Sequence, residues 1–295
     1  MICACIDIGS NTTRLLVADA GDGRLRELVA QRAFTRIGKS LQDGGLIPPE
    51  KIAETAGVVR TQTSVAREVG AEHIVAVATA AIRTASNREA LVEAVEEAGG
   101  VELSVLSGEE EARLSFVGAT RTLLEAPEGT VAVIDVGGGS SEIAIGEPDG
   151  EMTWSESFRI GSGFLADAYL RSDPPSVDEL EKLRRHVEGT FEGLEPPPAT
   201  SAVAVGGTAT SLRRLVGAEL EHETLERGIR VLASNPIDKL ARSFELEPER
   251  VRLLPAGILI LEAASDQLRV PLQIGRGGLR EGVVLEMIAA AREAA

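Results

Sequence analysis

The sequence predicts an α/β fold built twice in one chain. Three observations carry that expectation. At 295 residues the chain has the length of two domains, each able to bury a core. Residues 3–17 and 131–145 match position by position, 128 residues apart. After each of these segments, helix-spaced stretches alternate with short apolar runs.

The first copy reads Cys3-Ala-Cys-Ile-Asp7-Ile-Gly9-Ser-Asn-Thr-Thr13, and the second reads Val131-Ala-Val-Ile-Asp135-Val-Gly137-Gly-Gly-Ser-Ser141. Each is an apolar run, an Asp, an apolar residue and a Gly. A loop of small residues and a second alternating strand follow. The turns Gly21-Asp-Gly23 and Pro148-Asp-Gly150 then lead into a third strand in each copy. The unit strand–loop–strand–turn–strand is thus used twice, at a period too long for a solenoid.

Residues 48–69 have helical spacing behind a Pro-Glu start, and 74–78 form a buried-strand run. Residues 87–98 predict an amphipathic helix with Ser86 and Glu89 as its capping box. A strand follows over 101–106, and Ser107 with Glu110 opens the next helix by the same device. In the second half, Ser176 and Glu179 box a helix over 176–194. The strand 202–205 runs into Gly206-Gly-Thr208 and a helix over 209–216, and helices continue to the C-terminus. The expected boundary lies near 125–129, giving domains 1–125 and 126–295, with the Pro run at 196–198 a local loop.

Composition removes several functional classes. The formal net charge is −16 and aromatics are 3%. Such a surface repels phosphate backbones and lacks the usual stacking platform, so no nucleic-acid partner is expected. The longest strongly apolar stretch, residues 74–82, is far too short for a membrane helix, and the N-terminus has no signal-peptide pattern. A cytoplasmic protein without a membrane partner is expected. Cys3 and Cys5 share one strand face, where a disulfide is geometrically poor, so both are expected as buried thiols. His73, His186 and His222 show no ligand spacing.

The loops carry the chemistry. Gly9, Ser10, Asn11 and Thr12 form one small-residue loop between strands, and Gly137, Gly138, Gly139, Ser140 and Ser141 form its counterpart. Each frees several backbone N–H groups to point at one spot, which makes an anion nest. Gly206, Gly207 and Thr208 open a helix whose N-terminus favours an anion. Asp7 and Asp135 end their strands beside the nests, where a bare carboxylate would repel phosphate. They make sense as ligands of Mg²⁺ bridging to phosphate oxygens, and Glu142 fits the same role. Glu111 stands one step past the Ser107–Glu110 box. It serves either as a general base for water or only as an acidic residue favoured by the helix dipole. Arg83, at the end of the 74–82 segment, reads equally as a phosphate ligand or a surface arginine. Arg276 and Arg280 are weaker cationic candidates, with surface ion pairs as the alternative.

These residues resemble the Ppx/GppA phosphatase family, the exopolyphosphatases and guanosine pentaphosphate phosphohydrolases of the actin-like (ASKHA, ribonuclease H-like) superfold. The matching segments are residues 6–12, 78–83, 107–113, 134–142, 205–210 and 278–282, in family order over essentially the whole chain. The resemblance implies two actin-like domains with an interdomain active-site cleft. It implies that Glu111 activates the attacking water and that Asp135 and Glu142 are Mg²⁺-associated. The two nests with Arg83 and the Gly206-Gly207 turn would form the terminal-phosphate cradle. Mg²⁺ is the implied cofactor, with Mn²⁺ as a substitute and a monovalent cation as a further candidate.

The implied reaction is hydrolysis of the terminal phosphoanhydride of inorganic polyphosphate, with guanosine pentaphosphate (pppGpp) as the alternative substrate. An actin-like phosphotransferase and a silent phosphate or alarmone sensor are competing readings. Longer family members carry an added C-terminal helical module that this chain does not show. A shorter polymer groove is therefore expected unless a homodimer completes it. Gly275-Arg-Gly277 also departs from the family's serine-containing stretch. The charge of −16 is compatible with a polyanionic substrate if recognition is local, through neutral nests, a bound cation and a few arginines.

Overall fold

The computed structural model describes residues 1–20, 25–41, 45–123, 125, 127–149 and 151–293. The turn expected at 21–23, Gly150 of the second turn and Ala126 at the expected boundary lie outside the described residues. The chain divides into two compact units, Met1–Gly118 with Gly278–Ala295, and Ala119–Gly277.

In the first unit, β1 (Ile2–Ile8), β2 (Thr13–Asp19) and β3 (Arg26–Ala33) form the expected antiparallel meander. β4 (His73–Ala78) and β5 (Leu103–Val105) add parallel to β1, giving the order β3-β2-β1-β4-β5. Alternation along β1 and β2 sends residues to two cores. Ala4, Ile6, Ile8, Leu15 and Val17 face α2 (Pro49–Glu68) and α4 (Arg88–Gly99). Cys3, Cys5, Leu16 and Ala18 face α5 (Gly108–Arg121) and α12 (Leu279–Glu293). Both cysteines are fully buried free thiols, as expected. The short helices α1 (Ile37–Ser40) and α3 (Ala80–Arg83) complete the unit.

In the second unit, β6 (Val131–Val136), β7 (Ser141–Gly146) and β8 (Met152–Phe158) repeat the meander. β9 (Ser201–Val205) joins β6 in parallel, and β11 (Leu272–Ile274) joins β9 in parallel. The short β10 (Glu219–Leu220) adds an outer strand, so the order is β10-β11-β9-β6-β7-β8. Apart from β10, the two sheets have one strand order and one set of strand directions. The 128-residue repeat therefore extends from motif to topology. The apolar α11 (Pro248–Leu268) lies at the centre of this core, with α6 (Ser162–Tyr169), α7 (Val177–Phe191), α8 (Gly206–Val216), α9 (His222–Ala233) and α10 (Ile237–Phe244).

Two details differ from expectation. The division expected near 125–129 places α12 in the second half, yet α12 packs in the first unit. Its Leu279, Val283, Val284 and Ile288 share a core with β1 and β2, a pairing between chain ends that no local pattern records. The box expected at Ser86 and Glu89 does not form, and α4 begins after Asn87 without a side-chain cap. Asn87 instead bridges the backbone of Ile47, and Glu89 pairs with Arg88. The boxes at Ser107–Glu110 and Ser176–Glu179 are both present. The backbone hydrogen bond at Ser107 holds the Glu110 carboxyl below its usual range. The Ser172 hydroxyl and the cap N–H groups hold Glu179 at about 2. Among the described residues, no helix is long and apolar enough to cross a membrane.

Candidate active site

Because β1, β4 and β5 run parallel, the residues that follow them gather at one carboxyl edge of the first sheet. That edge carries the 9–12 loop, Thr79 with α3, and the start of α5. β6, β9 and β11 do the same for the second sheet with the 137–140 loop, the start of α8, and residues 275–277. Each unit thus presents its predicted chemistry on its own edge.

The two loops close identically. Gly9 N–H donates to the Thr12 carbonyl at 3.0 Å, and Gly137 N–H donates to the Ser140 carbonyl at 3.0 Å. Their outer carbonyls are then tied away from the loop. Ser10 and Asn11 carbonyls accept from Gly38 and Arg36 N–H at 2.8 and 3.0 Å. Gly137 and Gly138 carbonyls accept from Ser162, Gly163 and Phe164 N–H at 2.9–3.0 Å. Among the described residues, the N–H groups of Ser10, Asn11 and Thr12 find no backbone acceptor, and neither do those of Gly138, Gly139 and Ser140. Carbonyls turned out and donors turned in make an anion nest. In the first loop the Ser10 hydroxyl and the Asn11 amide nitrogen are buried and make no hydrogen bond among the described residues. A buried donor left unsatisfied is costly, and an anion oxygen would satisfy both.

Arg83 and Glu111 meet on the first unit's edge. Arg83 Nη1 lies 2.8 Å from Glu111 Oε2 and donates to the Leu106 carbonyl at 2.9 Å. Glu111 is only 7% exposed. The pairing fixes one carboxylate oxygen in place, and it rests on the Ser107 box, which sets where α5 begins.

The carboxylates differ between the copies. Asp135 stands directly opposite Glu142 in the β6–β7 ladder, whereas Asp7 stands opposite Arg14 in β1–β2. Like charges across a ladder repel, and a cation between them removes the penalty. Glu142 is 1% exposed and its Oε1 accepts from Ser157 Oγ at 2.8 Å. Gly206, at φ 84°, clears room for Asp135: a Cβ there would stand 2.3 Å from Asp135 Oδ1. Two carboxylates in register across a ladder suit a hard dication, so Asp135 and Glu142 fit Mg²⁺ or Mn²⁺. Asp7 fits less well, because Arg14 already brings positive charge to it.

Other predicted residues find narrower roles. Thr208 is buried, and its side chain packs against Gly257 of α11, leaving backbone for a ligand. Ser141 Oγ donates to the Ile160 carbonyl at 2.7 Å. Arg280 donates to the Leu15 carbonyl and pairs with Glu281, which makes it a tie between α12 and β2. Arg276 follows β11 on the second edge. Two basic residues beside the first nest escaped the sequence reading. Arg14 Nε donates to Thr12 Oγ1 at 3.2 Å, and Arg36 holds the nest through its backbone. The signal for Arg14 was available, since the repeat aligns it with Glu142.

One strand order used twice, with a nest at each carboxyl edge, defines a two-domain protein of the actin-like class. The model of the Ppx/GppA phosphatase family matches residues 16–291, and the chain belongs to that family. Exopolyphosphatase 1 of Mycobacterium tuberculosis is 30% identical over 302 residues, which cover 96% of this chain and 87% of the relative. The guanosine-5'-triphosphate,3'-diphosphate pyrophosphatase of Vibrio vulnificus is 26% identical, covering 98% of this chain and 60% of that one. A crystal structure of the Aquifex aeolicus Ppx/GppA family member superposes with a TM-score of 0.84 at 28% identity, covering 99% of this chain and 98% of that chain.

Proposed function

We propose that this protein is an exopolyphosphatase that releases orthophosphate from the end of inorganic polyphosphate, acting in the cytoplasm with Mg²⁺. The observation that carries this reading is the buried Glu111 carboxylate, pinned by Arg83 on the same sheet edge as a nest with unspent N–H groups. Family membership and the exopolyphosphatase relative support the substrate.

In this mechanism the Glu111 carboxylate orients a water and takes its proton as the water attacks the terminal phosphorus in line. Arg83 keeps Glu111 in register and adds positive charge to the edge. The N–H groups of the first nest, Ser10 Oγ and Asn11 Nδ2 hold phosphoryl oxygens and stabilise the charge that develops on them, and the second nest offers N–H groups of the same kind. Asp135 and Glu142 would hold Mg²⁺, which when bound neutralises phosphate charge as a Lewis acid. No covalent phosphoenzyme is required.

The second reading is the 5'-phosphohydrolysis of pppGpp, favoured by the Vibrio vulnificus relative. A phosphate-release panel over short and long polyphosphate, pppGpp and ATP, each with and without Mg²⁺, tests both. Preference for polyphosphate supports the proposal, preference for pppGpp supports the second reading, and absence of turnover refutes both.

A further inference from the structure

The helices α9 and α11 bring together three donors that the proposed reaction does not use. His222 and Glu226 lie one turn apart on α9, and Glu262 comes from α11. One ligand atom from each can be chosen so that all lie within 4.8 Å of one another. His222 Nδ1 is 3.6 Å from Glu262 Oε1, and its Nε2 is 3.7 Å from Glu226 Oε1.

Each carboxylate is oriented from behind by an arginine. Arg184 donates to Glu262 Oε2, and Arg230 donates to Glu226 Oε2 at 3.2 Å. Both Oε1 atoms are thereby turned to the imidazole, the way outer hydrogen bonds aim metal ligands. Glu262 is 2% exposed, and among the described residues its buried Oε1 accepts no hydrogen bond. Burial pushes the Glu262 carboxyl above its usual range, with Arg184 and then His222 opposing the shift. His222, by contrast, is 60% exposed at its side chain, so the cluster opens to solvent. A buried acceptor at the floor and an imidazole at the rim make an accessible cation site.

We propose that His222, Glu226 and Glu262 bind a transition-metal dication of the zinc class and tie α9 to α11. An imidazole nitrogen with two carboxylate oxygens suits Zn²⁺ in preference to Mg²⁺, which favours all-oxygen sites. A zinc ion takes one ring nitrogen, and with one atom from each residue the set lies within 4.8 Å, so the side chains need only draw in towards the ligand–ligand spacing of about 3.4 Å in a tetrahedral zinc site.

The test is a zinc titration of the full chain in excess Mg²⁺, followed by histidine-ring ¹⁵N NMR and calorimetry. The chain has three histidines, so each ring is separately visible. The expected result is a shift of the His222 ring nitrogens, with His73 and His186 unmoved. The Asp135→Asn variant should retain this binding, which separates the site from the proposed Mg²⁺ carboxylates. The exposed substitutions His222→Gln and Glu226→Gln should weaken zinc binding at least about tenfold. Circular dichroism and Mg²⁺-supported phosphate release should stay as in the wild type. A His222 ring that zinc leaves unmoved, or undiminished zinc binding by His222→Gln, would overturn the proposal.

Discussion

Replacing Gly282 with Ala should unseat the helix that carries Glu111. A Cβ at Gly282 would stand 1.9 Å from the Leu114 carbonyl oxygen and 3.2 Å from Gly118 N. The same crossing has a reciprocal contact, since a Cβ on Gly118 would stand 1.9 Å from the Gly278 carbonyl oxygen. The atoms struck are backbone, so no side chain can rotate away. Restoring ordinary contact at about 3.5 Å moves α12 off α5 by about 1.5 Å. Overpacking of this kind costs roughly 1–3 kcal/mol, with rigid backbone favouring the upper end. Against it stands the gain of about 1 kcal/mol that Ala has over Gly inside a helix.

The net expectation is about 2 kcal/mol of destabilisation, or a Tm roughly 4–8 °C lower for the unit concerned. Leu114 lies one turn from Glu111, so phosphate release should fall by about tenfold or more, as misplacement by about 1 Å does elsewhere. Gly57 in α2 is the internal control, because a Cβ there meets nothing within 4 Å. Gly57→Ala should raise Tm slightly. Thermal unfolding followed by circular dichroism, paired with phosphate release, decides the matter. A Gly282→Ala variant as stable as Gly57→Ala would refute the close-crossing argument.

Other outcomes follow from single observations. Asn11→Ala removes a buried donor with no acceptor among the described residues, so KM for polyphosphate should rise roughly tenfold with little change in Tm, corresponding to one charge-assisted hydrogen bond; steady-state kinetics checks this. Burial raises the thiol pKa of both Cys3 and Cys5, so neither should react with a thiol reagent in the native protein, and both should react in denaturant. Glu179, held at about 2 in the fold, contributes stability that is fully present above its ordinary pKa of 4.5. That contribution is lost as pH falls through the window between them. Denaturant unfolding should therefore show a shallower acid loss in Glu179→Gln, by about 1 kcal/mol or less since the group faces solvent.

Much of this was legible because its causes are local. The 128-residue repeat fixes the Asp, the Gly and the loop in both copies, and those residues alone dictate the closing hydrogen bonds at Gly9 and Gly137. The boxes at Ser107 and Ser176 are complete within four residues, so the start of α5, and with it Glu111, could be placed. Distant partners erased other signals. Ser86 and Glu89 carry the pattern of a box, yet Asn87 is recruited by Ile47. The return of α12 depends on Gly282 meeting Leu114, and neither residue announces the other. His222 looked unpartnered in sequence because the buried Glu262 comes from a different helix. The contrast of Arg14 with Glu142 was in the alignment, and only the ladder register showed why it separates Asp7 from Asp135.

The most direct test of the account is phosphate release from polyphosphate in Mg²⁺ by the Glu111→Gln variant beside the wild type. The account predicts a fall on the order of 10³ in kcat, within the range of a lost general base, with circular dichroism and Tm essentially unchanged. Release within about twofold of wild type, far below what losing a general base costs, would show that Glu111 is not the base and contradict the mechanism.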